Sequence, residues 1–150
     1  GLTMDDNGIP KTAEERVAVA EKIIEKAVKA GVPAENVIID PLVLTVGSDS
    51  QAAMITLLTI ELLRRNLGVN INVGASNVSY GLPDRPALNQ AFLTLCIQAG
   101  ATCAITDPSK MGTTVRAADL LLGRDDHGMR YIKYFRAAEA LREKEAQASA

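Results

Sequence analysis

The stretch Val69-Asn70-Ile71-Asn72-Val73-Gly74-Ala75-Ser76-Asn77-Val78-Ser79 decides how the rest of the chain is read. Apolar residues climb through Ile71 and Val73 at the alternation of a short strand, and the run breaks at Gly74 into small polar residues. Turn signals bound it, with Gly68 before and Tyr80-Gly81-Leu82-Pro83 after. A strand that closes on Gly74-Ala75-Ser76-Asn77 puts pliant backbone and one amide side chain at the carboxyl edge of a sheet. That edge is where α/β proteins bind ligands. Asn77 is therefore expected near the site.

Two further strands flank this one. Upstream, Val37-Ile38-Ile39 is a β-branched run without alternation, which predicts a parallel strand buried on both faces. It ends on Asp40, and Pro41 forbids a continued ladder. A carboxylate there either caps neighbouring loop amides or faces a ligand as an acceptor. Downstream, Thr102-Cys103-Ala104-Ile105-Thr106 closes on another Asp-Pro pair, Asp107-Pro108.

Helical patterns separate the strands. Thr12-Ala13-Glu14-Glu15 reads as a capping box, and Val17, Ala20, Ile24 and Ala27 recur at helical spacing until Gly31, predicting a helix over 13–30. Ser48-Asp49-Ser50 offers N-caps for an apolar helix over 52–66, whose Arg64-Arg65 complements its negative end. Asp84 and Pro86 suit the start of a helix over 87–99. Helices over 112–122 and 129–147 follow, and the Ala/Glu/Lys-rich residues 139–150 read as a fraying tail.

Leu2-Thr3-Met4, followed by the turn-forming Asp5-Asp6-Asn7-Gly8-Ile9-Pro10, reads as the tip of a strand inside a longer chain. The order is then strand tip, helix, strand, helix, strand, helix, strand and two helices. Such alternation predicts βαβ units and a parallel sheet. A whole (β/α)8 barrel needs about 250 residues, so three strands and a tip amount to its carboxyl half. A curved half-sheet would expose an apolar inner face, and is expected to pair with a copy of itself or with a missing amino-terminal half.

Composition narrows the classes. The 150 residues suit one domain, here 1–150, with 47% hydrophobic and 23% charged residues. A net charge of −2 and 3% aromatics argue against nucleic-acid binding. No apolar run reaches the roughly 18 residues that span a bilayer, and the first residues do not form a signal peptide. Cys96 and Cys103 lack metal or redox spacing and read as two buried, reduced thiols of a cytoplasmic protein. His127, the only histidine, sits in a polar turn and reads as a surface residue.

Four motifs in this order carry a resemblance: Leu2-Thr3-Met4-Asp5-Asp6-Asn7-Gly8-Ile9-Pro10, then Ile39-Asp40-Pro41-Leu42. The third is Gly74-Ala75-Ser76-Asn77-Val78-Ser79 with Pro83-Asp84-Arg85-Pro86, and the last is Ala104-Ile105-Thr106-Asp107-Pro108. Over nearly its whole length the chain resembles the methyltetrahydrofolate:corrinoid methyltransferases. These share a pterin-binding TIM-type barrel with the dihydropteroate synthases and with the folate module of cobalamin-dependent methionine synthase.

The resemblance implies that the fifth barrel strand ends at Met4 and that strands six to eight lie near 37–40, 70–75 and 102–106. It implies methyl transfer from methyltetrahydrofolate to the cobalt of a corrinoid carried by a partner protein, with no metal held by this chain. Asp40 would accept hydrogen bonds from pterin donors. Asn77 would be the catalytic amide beside pterin N5, and Gly74 and Ser76 would line the ring. Arg85 would touch the corrinoid side or the substrate tail. The family's other pterin contacts, an aspartate and an asparagine on strands three and four, would lie in the half before Gly1.

Three other readings compete. One is a half-barrel that retains its fold without turnover and only self-associates. A dihydropteroate synthase-like enzyme would end the corresponding strand in Ser-Arg-Lys, where this chain has Ser76-Asn77-Val78 and no base to meet a pyrophosphate. A sugar- or phosphate-processing barrel would need a Gly-rich phosphate loop, which Gly74-Ala75-Ser76 matches weakly.

Overall fold

The computed structural model describes residues 1–148, which form two compact units, Gly1–Thr106 and a second that begins at Asp107. In the first, helix α1 (Ala13–Lys29), strand β1 (Ile38–Ile39), helix α2 (Ala52–Asn66), strand β2 (Asn70–Val73), helix α3 (Arg85–Ala99) and strand β3 (Cys103–Ala104) alternate. The sheet order is β1-β2-β3, all parallel, with Ile39 opposite Ile71 and Val73 opposite Ala104. Leu2 bridges to Asp40 in parallel, and the Asp40 amide donates to the Gly1 carbonyl at 2.8 Å. The chain start thus lies beside β1. Each strand neighbours its predecessor in sequence, and α1 packs on α2 and α2 on α3.

Local chemistry explains the helix bounds. The Thr12 hydroxyl accepts from the Glu15 amide, the Glu15 carboxylate accepts from the Thr12 amide, and α1 begins at Ala13 as the capping box predicts. α2 spans the expected residues, but none of Ser48, Asp49 and Ser50 is its cap. Gln51 holds that position, and the Asp49 carboxylate instead accepts from the Gln51 amide at 2.8 Å, forming a turn. Asp84 precedes α3 in a left-handed conformation and caps nothing with its side chain.

The sheet has one covered face. Ile39, Ile71 and Val73 are fully buried beneath the helices with Ile60, Leu63 and Leu93. The alternate residues point the other way, and there Ile38 is 47% and Ile105 70% exposed. The expectation of a strand buried on both faces is therefore corrected: the β-branched run is buried at Val37 and Ile39 and open at Ile38. Cys103 shares the open face and is exposed, so only Cys96 is a buried thiol. Burial pushes the Cys96 thiol up to about 12, because a thiolate there would lose its hydration.

In the second unit, helix α4 spans Pro108–Leu121 and helix α5 spans Met129–Ala148. α4 starts four residues before the sequence expectation, because Pro108 is pre-set for a first turn and the Asp107 carboxylate accepts from the Ser109 amide. Gly112 leaves room for the Tyr134 hydroxyl, which a side chain at 112 would meet. The Asp125 carboxylate is nearly sealed from solvent, which by itself raises its pKa. Hydrogen bonds from the Arg130 and Tyr131 amides outweigh that and hold it below the usual range. His127 is exposed, as expected. The expected tail is helical to Ala148, and residues 149 and 150 lie outside the described residues. No helix among the described residues is long and apolar enough to cross a membrane.

Candidate functional site

The carboxyl ends of the strands gather most of the residues singled out in the sequence. Asp40 follows β1 directly and is half-buried. One carboxylate oxygen accepts from the Leu42 amide at 2.9 Å and the other from the Asn72 side-chain amide at 3.2 Å. Both readings of Asp40 have a basis in this geometry. It caps its own loop, yet a carboxylate has about four acceptor positions, and the protein fills two of them.

Asn72 was missed in the sequence. It lies on β2 with Asn70, pointing away from Ile71 and Val73. Two asparagines at alternate positions of one strand were the available signal, since a polar alternate marks a face that is not aliphatic core.

Asn77 lies in a 3-10 turn, Ala75–Ser79, directly after β2. Its side chain is exposed and makes no hydrogen bond to the protein among the described residues. A Cβ at position 74 would lie 3.2 Å from its amide nitrogen, so Gly74 is the floor on which the amide rests. That is a use for glycine at 74 that needs no unusual φ.

The turn is held from beneath. Ala75, Val78 and Ser79 are buried. The Ser79 hydroxyl donates to the Asn89 side-chain oxygen at 2.7 Å and accepts from Arg85 Nε at 3.1 Å. Arg85 Nη2 donates to the Ser76 carbonyl at 2.9 Å, and its guanidinium sits 5.9 Å from the Tyr80 ring centroid. Loop 43–47 braces the other side, where the Val46 amide donates to the Val78 carbonyl and the Thr45 hydroxyl to the Tyr80 carbonyl. In this structure Ser76 and Arg85 support the turn that presents Asn77.

Two contacting pairs, Asp40 with Asn72 and Gly74 with Asn77, thus lie at the carboxyl ends of β1 and β2. Two larger hollows lie elsewhere. A cleft of about 390 Å³ runs between loop 5–11 and α1, and a groove of about 680 Å³ crosses the outer surface of α2 near Met54, Leu58 and Leu95. Neither is lined by Asp40, Asn72, Gly74 or Asn77.

Residues 3–107 match the family described as pterin binding enzyme. The chain belongs to the pterin binding enzymes. Within this family it is 34% identical over 138 residues to the methylcorrinoid:tetrahydrofolate methyltransferase of Eubacterium limosum, covering 90% of this chain and 51% of that protein. It is also 34% identical over 118 residues to the methionine synthase of Mycobacterium tuberculosis, covering 73% of this chain and 10% of the relative. The chain therefore spans about half the length of the first of these curated relatives and a tenth of the second. Asp40, Gly74, Ser76, Asn77 and Arg85 all lie within the matched stretch.

Proposed function

We propose that this chain is the carboxyl half of a (β/α)8 barrel that binds the pterin ring of tetrahydrofolate for methyl exchange with a corrinoid. The observation that carries the reading is the pairing at one sheet edge of a carboxylate with unused acceptor positions, Asp40, and an unengaged amide, Asn77. A pterin ring presents amino and ring N–H donors along one edge and N5 on the other side. A fixed carboxylate suits the first and an amide donor the second.

The chemistry favours an amide at N5. A tertiary amine is a poor leaving group until it gains a proton or a strong hydrogen bond. As the N5–methyl bond breaks, its electron pair stays on N5 while the methyl group passes to the cobalt of the corrinoid substrate. A donor already aimed at N5 stabilises that pair without reorganising at the moment of reaction. Gly74 lets the amide lie low against the strand end, and the Ser79–Arg85–Asn89 network keeps the turn from drifting. The same donor serves transfer in the opposite direction, the sense in which the Eubacterium limosum relative is named.

The open face fits the same proposal. Leu2 is 51% exposed and shares that face with Ile38 and Ile105, as the inner wall of a barrel would before its remaining strands close over it. The neighbouring order of tip, β1, β2 and β3 suits a barrel better than a doubly wound sheet.

Single-turnover methyl transfer in the full-length protein tests the role of Asn77. Asn77→Ala is expected to slow transfer by about a hundredfold or more, the usual loss for one pre-oriented donor, with a smaller change in pterin affinity. An unchanged rate would remove Asn77 from the mechanism.

A further inference from the structure

Arg16 is 2% exposed, and it has no carboxylate partner among the described residues. Its guanidinium donates to three carbonyls: Nε to Pro10 at 3.1 Å, and Nη1 to Pro41 and Leu42, each at 2.8 Å. Burial pulls its pKa below the ordinary arginine value, although the side chain stays charged. A charge buried in this way is costly, and a packed apolar residue could fill the same volume more cheaply. What the arginine fastens is therefore informative.

It fastens two loops at the ligand edge. Pro10 ends the turn-rich loop after the strand tip, and Pro41-Leu42 directly follows Asp40. Leu42 is in the left-handed region at φ 62, a conformation that L side chains resist. Its carbonyl is held by Arg16 and by the buried Thr56 hydroxyl of α2, whose one proton is shared between the Leu42 and Ala52 carbonyls, each at 3.1 Å. Its amide is thereby directed at the Asp40 carboxylate, 2.9 Å away. Released from both donors, Leu42 would relax to an ordinary φ and its amide would leave Asp40.

We propose that Arg16, together with Thr56 and acting through Leu42, is a positioning residue that fixes the Asp40 carboxylate for a pterin ligand. The proposal rests on the reading of Asp40 as the pterin acceptor, and it adds a part that touches no ligand. The Leu42 amide holds one oxygen and the Asn72 amide the other, so the carboxylate plane is set from two sides. Its unused acceptor positions then point in one direction before any ligand arrives.

The test uses the full-length protein and two readouts. The first is free of ligand: hydrogen exchange at the Leu42 amide. Arg16→Met is expected to speed that exchange by about tenfold or more, as loss of a local clamp should. Exchange in the interior of α2 should not change. The second is calorimetric affinity for tetrahydrofolate. Arg16→Met should weaken binding by about tenfold, the size expected for losing charge-assisted positioning. Arg16→Lys should recover part of both effects. In an Asp40→Asn background Arg16→Met should cost no further affinity, because the two residues act as one unit.

Unchanged Leu42 exchange in folded Arg16→Met overturns the proposal, and so do additive losses of affinity with Asp40→Asn. If Asp40→Asn alone leaves affinity unchanged, the pterin reading of Asp40 falls, and with it any effect of the clamp on binding. The Leu42 amide still reports separately whether the clamp holds that loop. If Arg16→Met does not fold, Thr56→Val removes the second donor to the same carbonyl and should give both effects at smaller size.

Discussion

On one face of the sheet Ile39, Ile71 and Val73 are fully shut away beneath the helices. On the other, Ile38, Asn70 and Ile105 are exposed, and Asp40 and Asn72 are half-buried. The covered face is aliphatic at Ile39, Ile71 and Val73. The open face is mixed: apolar at Ile38 and Ile105, and polar at Asn70 and where Asp40 and Asn72 meet. A face meant only for solvent would have no use for Ile38 and Ile105, and one meant only for a core would exclude Asp40 and Asn72. The mixture suits a surface that takes a polar ligand at one end and further protein along its length.

The largest expected effect lies on the covered face. Ile71→Ala should cost about 2–5 kcal/mol in urea unfolding, the range for a sealed aliphatic truncated to alanine. Ile105→Ala sharpens the contrast because its outcome depends on what covers it. In the 150-residue chain it should change stability by less than about 0.5 kcal/mol. In the full-length protein, where the proposed barrel closes over that face, it should cost about 2 kcal/mol or more. Equal small values in both would leave the open face without a cover.

Cys96 gives the covered side a pH signature. Its thiol is raised from the ordinary value of 9.0 to about 12 in the folded chain, so folding favours the protonated form. Its contribution is complete below pH 9 and is lost as pH rises toward 12, at about 1.4 kcal/mol per pH unit. Cys96→Ala should flatten that alkaline decline, and an unchanged decline would place its source elsewhere. Gly74→Ala should have the smallest effect on stability, within about 0.5 kcal/mol, because φ at 74 is an ordinary −79°. Its Cβ would nonetheless push the Asn77 amide by a few tenths of an ångström, and methyl transfer should slow by about tenfold.

The alternation of elements was legible in the sequence because punctuation and periodicity agree there. Thr12 and Glu15 mark where α1 starts, no glycine or proline interrupts Ala52 to Asn66, and a glycine or an Asp-Pro pair follows each strand directly or within three residues. The family was legible too, since its motifs sit at strand ends whose order is kept. Burial was less so. Val37-Ile38-Ile39 looks sealed on both faces because composition does not say whether a neighbour is present to seal it. Arg16 drew no reading of its own beside Glu14 and Glu15. Its spacing of three from Ala13 and four from Ala20 put it on the buried stripe, and that signal was available. What no spacing rule could reveal is that its partners are the Pro10, Pro41 and Leu42 carbonyls, since long-range contacts to backbone carry no residue signature.

The proposed role of Asp40 is to accept the donors of a bound pterin at the carboxyl end of the sheet. Calorimetric titration of the full-length protein with methyltetrahydrofolate tests it most directly, comparing the parent with Asp40→Ala. Loss of the charged acceptor should weaken binding by about tenfold or more while the protein stays folded. Equal affinity in the parent and in folded Asp40→Ala would contradict the account.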